Sequence, residues 1–425
     1  MHVHGVVRVP GDKSISHRAL LAGALARGTS RITGALAAAD VQSTAHVLRQ
    51  LGVRVSPLRD RSAVTVRGAR FRSPRGTLDC GNSGTTTRLL LGAIAGQAIR
   101  ARLSGDASLR RRPMRRVIEP LVAMGATIGA GDEGTLPLTI RGGRLHTIHH
   151  AAPVASAQVK SAILFAALAS RVSVTVSEPV RSRDHTERLF VHLGLDVRES
   201  NGAVSYQPSA EPLESFNINV PGDTSSAAFL VGAAMLAEGG ELLIEGVGVN
   251  PTRTGFLGVL ARMGARVERF NLGGEGAEPV ADLLVRPAPL GGGTEVMGDE
   301  VPSLIDEVPL LAALASRAAG ETVFRGVGEL RVKESDRLGL VAANLRALGV
   351  DAAASGDDLY VRGTDRPPRG RVDTAGDHRL AMAFAVLGTV PGADVRLSER
   401  RSVAISFPRF FETLREIRRA PRHRD

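Results

Sequence analysis

Apolar runs rich in alanine recur along this chain, each entered from a polar turn and followed by a short β-branched stretch. A second apolar segment then closes on Leu-x-x-Gly-Ala or Leu-x-x-Gly-Val. The clearest closers are LRQLGV (48–53), LVAMGA (121–126), LARMGA (260–265) and LRALGV (345–350), with VHLGLDV (191–197) as a variant. Glycine just past a helix end supplies a left-handed cap, so Gly52, Gly125, Gly194, Gly264 and Gly349 are read as helix stops. A degenerate sixth copy runs over 381–417. Alternating helical and β-branched segments of this kind predict an α/β protein with helices laid on one side of short sheets.

A longer period overlies the first. PGDKSISHRALLAGALA (10–26) is echoed by PGDTSSAAFLVGAAMLA (221–237), about half a chain later. Each copy is a turn followed by Ser or Thr ahead of an apolar helix, a good helix start. Two halves of three units follow, with the PGD segments as crossovers and the N-terminal strand belonging to the C-terminal half. The domains expected are therefore 1–11 plus 222–425, and 12–221, with a ligand cleft between them.

Composition narrows the functional classes. At 425 residues, 43% hydrophobic and 23% charged, the chain can bury substantial cores. Its longest apolar runs, such as 227–237, are too short to span a bilayer, and the start lacks the pattern of a secretion signal. A single cysteine, Cys80, fits a reducing, cytoplasmic setting and a small buried residue at a strand end. The net charge of +11 invites a nucleic-acid reading, but the chain has no Trp and two Tyr, with no aromatics set among the basic residues for base stacking. A cationic cleft for a small, multiply anionic substrate explains the charge equally well. The basic tail 415–425 reads as a frayed, solvated end, and so does HVH at the N-terminus.

Three lysines stand against fifty-one arginines: Lys13 in PGDKSISHR, Lys160 in SAQVKSA and Lys333 in RVKESDR. Lysine persists in such a chain where a compact ammonium is needed and a planar fork would not fit. Around them lie helix starts that favour anions. Ser14 and Arg18 are four apart, hence on one face. CGNSGTTTR (80–88) is a glycine-rich turn in which Gly84 allows close approach and Thr85 can cap or bind, although it is neither a Walker loop nor a dinucleotide fingerprint. Arg112 ends the basic run before Pro113. Ser156 caps the helix carrying Gln158 and Lys160, and SRDHTERL (182–189) offers Arg183, Asp184 and His185. GxSxG is absent, which argues against a Ser/His/Asp hydrolase, and apart from HVH at the N-terminus and the HH pair at 149–150 no histidine spacing suits a metal site. The C-terminal half adds Asp306 and Glu307 before an apolar helix, Lys333 and Arg337 four apart on one helix face, and Asp377, His378 and Arg379.

Taken in order, PGDKSISHRAL, GNSGTTTRL, GDASLRRRPM, SAQVKSA, SRDHTERL, PGDTSSAAF, IDEVPLLA, VKESDRL and DHRLAM resemble the 5-enolpyruvylshikimate-3-phosphate synthase family over nearly the whole chain. The resemblance implies a two-domain inside-out α/β barrel, each domain of three βαβαββ units, acting as a cytoplasmic monomer without metal or cofactor and closing by a hinge at the PGD crossovers. It implies transfer of the enolpyruvyl group of phosphoenolpyruvate to the 5-hydroxyl of shikimate 3-phosphate. Asp306 matches the general base and Glu334 the group exchanging the C3 proton, with Lys13 touching both substrates. Shikimate 3-phosphate contacts carry over to Ser14, Arg18, Ser156, Ala157, Gln158, Arg183, Asp306 and Lys333. Phosphoenolpyruvate contacts carry over to Lys13, Gly84, Arg112, Gln158, Arg337 and Arg379, with Asn82 and Thr85 shaping the turn.

The chain departs from the pattern at three places. Ser406 stands where many members have lysine, Ala157 where many have serine, and His185 near a tyrosine position. Gly84 keeps the glycine that implies sensitivity to glyphosate. The sister transferase acting on UDP-N-acetylglucosamine shares donor and fold, but KESDR and SRD favour shikimate.

Overall fold

The computed structural model describes residues 2–418 except Arg61, Asp132, Glu133 and Gly276, so the basic tail lies outside the described residues from Arg419 onward. The chain divides into two compact units. One comprises Met1–Pro10, Gly222–Gly273 and Pro279–Asp425; the other comprises Gly11–Pro221 and Gly274–Glu278. Each has its own apolar core.

In the Gly11–Pro221 unit the helices Lys13–Leu25, Gly84–Ala95 and Ala157–Ser170 are buried almost all round. Helices hydrophobic on every face must lie inside, and small side chains let their axes approach. A Cβ at Gly92 would stand 2.1 Å from the carbonyl oxygen of Ala162, so that crossing requires glycine. The strands are the reverse, alternating between buried and exposed as in Val64–Arg67 and Leu138–Arg141. Each of three four-stranded sheets joins a parallel pair to an antiparallel pair. Thr29–Thr33, for instance, lies parallel to Asn217–Asn219 and antiparallel to Val64–Arg67, whose other neighbour is Arg54–Val55.

The other unit follows the same plan. Thr224–Met235 and Val308–Ala315 are buried at every position, and His378–Leu387 at nearly all. Val6–Arg8 lies parallel to part of Leu242–Gly248, and Glu295–Val296 to Glu321–Phe324, each within a four-stranded sheet. Arg369–Val372 and Asp394–Leu397 form a two-stranded parallel sheet among the described residues. The N-terminus is not frayed from His2 onward. His2–Val3 pairs with Gly239–Gly240, and Val3 is fully buried.

Helix ends explain the motifs. The five closing glycines all have positive φ, from +76° at Gly194 to +111° at Gly125. At the PGD segments the capping oxygen belongs to aspartate rather than to the Ser or Thr that follows. Asp12 accepts the amide of Ile15 at 2.9 Å and Asp223 that of Ser226 at 2.7 Å. A carboxylate there also complements the positive end of the helix dipole. Among the described residues no helix is long and apolar enough to cross a membrane.

Candidate active site

In the Gly11–Pro221 unit the candidate residues gather at helix starts. Lys13, in the first turn after Asp12, donates from Nζ to Asp40 Oδ2 at 3.3 Å. Arg18, one turn on and 3% exposed, donates from Nε to Thr186 Oγ1 (2.7 Å), from Nη1 to the Ser14 carbonyl (3.0 Å) and from Nη2 to Ser161 Oγ (2.7 Å). Its partners are all neutral. Burial lowers the guanidinium to about 10, partly opposed by the fields of Glu187 and Asp12. Such a group gains strongly from an incoming anion.

Beside it His17 is fully buried, its Nδ1 2.7 Å from Thr44 Oγ1. Thr44 continues to Thr86 (2.7 Å) and Thr86 to Ser83 (2.8 Å), so a chain of hydroxyls ties three helices together. Burial first, then Lys13 and Arg18, hold this imidazole well below its ordinary titration range.

The glycine-rich turn builds a second cluster. Ser83, not Thr85, caps the Gly84–Ala95 helix. Thr85 Oγ1 instead accepts Gln158 Nε2 at 3.0 Å. A Cβ on Gly84 would lie 2.8 Å from Arg88 Nη1 and 3.3 Å from Arg112 Nη1, so two guanidinia crowd the bare backbone. Arg112 is held by Asn82 Oδ1 (2.6 Å) and Ser108 Oγ (3.3 Å), and Asn82 in turn by Asp106 (2.6 Å). Arg88 donates to Gln158 Oε1 (2.7 Å) and the Pro113 carbonyl (3.0 Å). Gly84, Arg112 and Gln158 are thus brought together, and Arg88 joins them. Sequence reasoning missed Arg88 although it stands one turn after Gly84 on the same helix; that spacing was the available signal.

Ser156 caps its helix as expected, with Ala157 in the first turn. The backbone N–H of Ser156 donates to Glu178 Oε1 at 2.8 Å. Arg183 is half-buried and its charge reaches Arg18, lowering that guanidinium.

In the other unit the candidates converge on Arg337, 1% exposed at the start of the Arg337–Ala347 helix. It contacts Asp377 Oδ2 (2.7 Å), Glu334 Oε2 (2.5 Å) and Asp306 Oδ1 (3.4 Å). Burial alone disfavours the charge of Arg337, but the three carboxylates, Asp377 foremost, raise its pKa well above the ordinary value. Conversely, burial raises Asp377, but Arg337 more than offsets this and holds its carboxyl below the usual range. Arg379 donates from Nη1 to the Asp306 carbonyl at 3.1 Å, its Nη2 lying 3.5 Å from Asp306 Oδ2. Asp306 is therefore gripped by two guanidinia. Glu307, fully buried beside it, accepts from Ser225 and lies 3.5 Å from Arg379.

Lys333 differs from expectation. It ends a short 3-10 turn in extended conformation (φ −80°, ψ −150°), before the helix begins, so helical spacing does not set its side chain beside Arg337. Asp336 caps that helix by accepting the Gly339 amide at 3.0 Å, which explains why the helix starts late. Ser406 is buried and caps another 3-10 turn. Cys80 is buried after strand Leu78–Asp79, its thiol pushed up to about 12 by burial.

The arrangement offers cationic helix starts suited to phosphate and carboxylate, and a pair of carboxylates, Asp306 and Glu334, held by one guanidinium. Comparison with known proteins accords with that chemistry. The sequence model described as EPSP synthase (3-phosphoshikimate 1-carboxyvinyltransferase) matches residues 1–414. The 3-phosphoshikimate 1-carboxyvinyltransferase of Alkalilimnicola ehrlichii is 48% identical over 415 residues, 96% of this chain and 92% of that protein. The enzyme of the same name from Thermus thermophilus is 49% identical over 97% of this chain and 96% of its own. A solved EPSP synthase from Acinetobacter baumannii superposes with a TM-score of 0.86 at 39% identity, covering 98% of this chain and 96% of that one. The enolpyruvyl transferase NikO of Streptomyces tendae shares the fold, with a TM-score of 0.79 at 21% identity over 98% and 95% of the two chains. Motifs, near-half identity and fold thus agree from one end of the described chain to the other, and the chain belongs to the EPSP synthase family.

Proposed function

We propose that this chain joins phosphoenolpyruvate to shikimate 3-phosphate through the residues described above. As a member of its family it is a 3-phosphoshikimate 1-carboxyvinyltransferase of aromatic amino acid biosynthesis. The 5-hydroxyl of shikimate 3-phosphate attacks C2 of phosphoenolpyruvate and loses its proton while C3 gains one. The tetrahedral adduct then loses that C3 proton together with phosphate, leaving the enol ether. Each proton transfer needs a positioned group, typically contributing on the order of 10²–10⁴-fold.

In this reading Asp306 takes the hydroxyl proton and Glu334 exchanges the proton at C3, with Lys13 assisting. The observation that carries it is the shared grip of Arg337 on both carboxylates, 3.4 Å to Asp306 and 2.5 Å to Glu334. Arg18, Ser14, Ser156, Ala157, Gln158, Arg183 and Lys333 hold shikimate 3-phosphate. Gly84, Arg112, Gln158, Arg337 and Arg379 hold phosphoenolpyruvate, and Arg88 orients Gln158. The recurring sheet order and buried helices support an inside-out barrel of three βαβαββ units in each unit of the fold. The enzyme acts as a cytoplasmic monomer. Phosphate release from the two substrates, measured for the wild type and for Asp306→Ala and Glu334→Ala, tests the assignment. An active wild type with both variants crippled is expected; harmless substitutions would sink the roles given to these two acids.

A further inference from the structure

The third lysine has a place in the structure that neither its motif nor the reaction explains. Lys160 is 2% exposed, and its Nζ lies 2.7 Å from Glu178 Oε2 and 2.8 Å from Glu187 Oε1. Both carboxylates lead toward residues assigned to shikimate 3-phosphate. Glu178 accepts the Ser156 amide (2.8 Å) and the Ser182 hydroxyl (2.7 and 2.8 Å), holding the helix start of Ser156 and the loop that continues into Arg183. Glu187 follows Thr186, which accepts from Arg18 and shares a 2.7 Å bond with Ser161. The charge of Glu187 also acts on Arg18 directly.

We propose that Lys160 is a positioning residue: its ammonium pins Glu178 and Glu187 so that Ser156, Arg183 and Arg18 are presented together to shikimate 3-phosphate. The proposal rests on the substrate assignment above. It also accounts for the survival of lysine in a chain with fifty-one arginines. Two carboxylate oxygens converge on a single atom in a closed space, where a planar fork spreads its donors too widely. Two positions along the same helix, Gln158 turns to Thr85 and Arg88 instead, so Lys160 itself does not touch substrate. An ion pair serving stability alone would affect both substrates equally, in step with unfolding.

Steady-state kinetics of wild type, Lys160→Arg, Lys160→Met and Lys160→Met/Glu187→Gln, with each substrate varied separately and thermal midpoints measured in parallel, separate these roles. The KM for shikimate 3-phosphate is expected to rise about tenfold or more in Lys160→Arg and Lys160→Met, the scale on which misplaced contacts act, while that for phosphoenolpyruvate moves by less than about threefold. The double variant should recover the thermal midpoint but not the KM, since removing one charge of each sign relieves the buried imbalance without rebuilding the clamp. Wild-type kinetics in Lys160→Arg, or parallel rises in both KM values that follow the midpoint, would overturn the proposal. Hydrogen exchange at the Ser156 amide gives a readout independent of substrate: faster exchange in Lys160→Met supports the clamp and unchanged exchange refutes it. A wild type that does not turn over this substrate pair would overturn the proposed function instead.

Discussion

Two buried arginines, one in each unit, resolve the same burial problem in opposite ways. Arg18 is surrounded by two hydroxyls and a carbonyl, and its pKa is lowered to about 10. Arg337 is surrounded by three carboxylates, and its pKa is raised. A neutral cage leaves a cation uncompensated and waiting for an anion; an acidic cage uses the cation to gather acids that would otherwise repel. That contrast suits Arg18 to receive an anion, in keeping with the proposed hold on shikimate 3-phosphate, while Arg337 holds Asp306 and Glu334 side by side.

The sharpest way to break this contrast is to remove each cation. Arg337→Met leaves three carboxylates facing one another, so stability should fall by about 3–5 kcal/mol, and activity should be lost with it; a denaturant titration that matches wild type would refute the gathering role. Arg18→Met should weaken shikimate 3-phosphate binding by roughly 10–100-fold, the worth of one charge-assisted bond, yet leave stability unchanged or improved. Ser161 and Thr186 already share a 2.7 Å bond, so neither hydroxyl should be orphaned by loss of the guanidinium. The lowered pKa means that keeping this buried charge costs stability, a cost the substitution relieves. A large loss of stability in Arg18→Met would erase the distinction.

Acid should unsettle the two regions in different windows. His17 beside Arg18 and Asp377 beside Arg337 both bind protons more readily when unfolded, so lowering pH favours the unfolded chain in each case. For His17 the loss begins as pH falls below the ordinary value of 6.5, with a slope of up to about 1.4 kcal/mol per pH unit. For Asp377 it begins only below the ordinary 3.8 and deepens as pH approaches the lower folded value. Thermal midpoints of wild type and His17→Gln between pH 7 and 5 should diverge, the variant being flatter; parallel curves would exclude the imidazole as the cause.

The smallest expected effect is at Gly84. An added methyl must displace the mobile ends of Arg88 and Arg112, so Gly84→Ala should raise the phosphoenolpyruvate KM by about tenfold or less, a cost on the order of 1 kcal/mol, and reduce inhibition by glyphosate. Unchanged inhibition would detach that turn from the donor site.

What the sequence made legible was local. Capping and helix arrest depend on residues within a few positions, so the Ser156 helix start and the glycine stops could be read from spacing. Lys333 shows the limit, because Asp336 intervenes as cap and moves the helix start past it. Many of the partners that give the candidate residues their electrostatic character lie far off in sequence. Asp377 is forty positions from Arg337, and Thr186 is 168 from Arg18. Only packing brings such groups together, and no periodicity announces them.

An early strand of the chain bears on how the protein is made. Val6–Arg8 is synthesised well before its partners Leu243–Glu245, which follow more than two hundred residues later. The segment Gly11–Pro221 has a core of its own and is complete by then, its ends tied by the 2.8 Å bond from the Asp12 amide to the Pro221 carbonyl. Vectorial synthesis thus delivers one unit, all but Gly274–Glu278, while an early strand of the other waits for its mate. Once folded, the segment Gly11–Pro221 acts as a short bridge, and the late pairing closes a small gap in place of a long floppy loop.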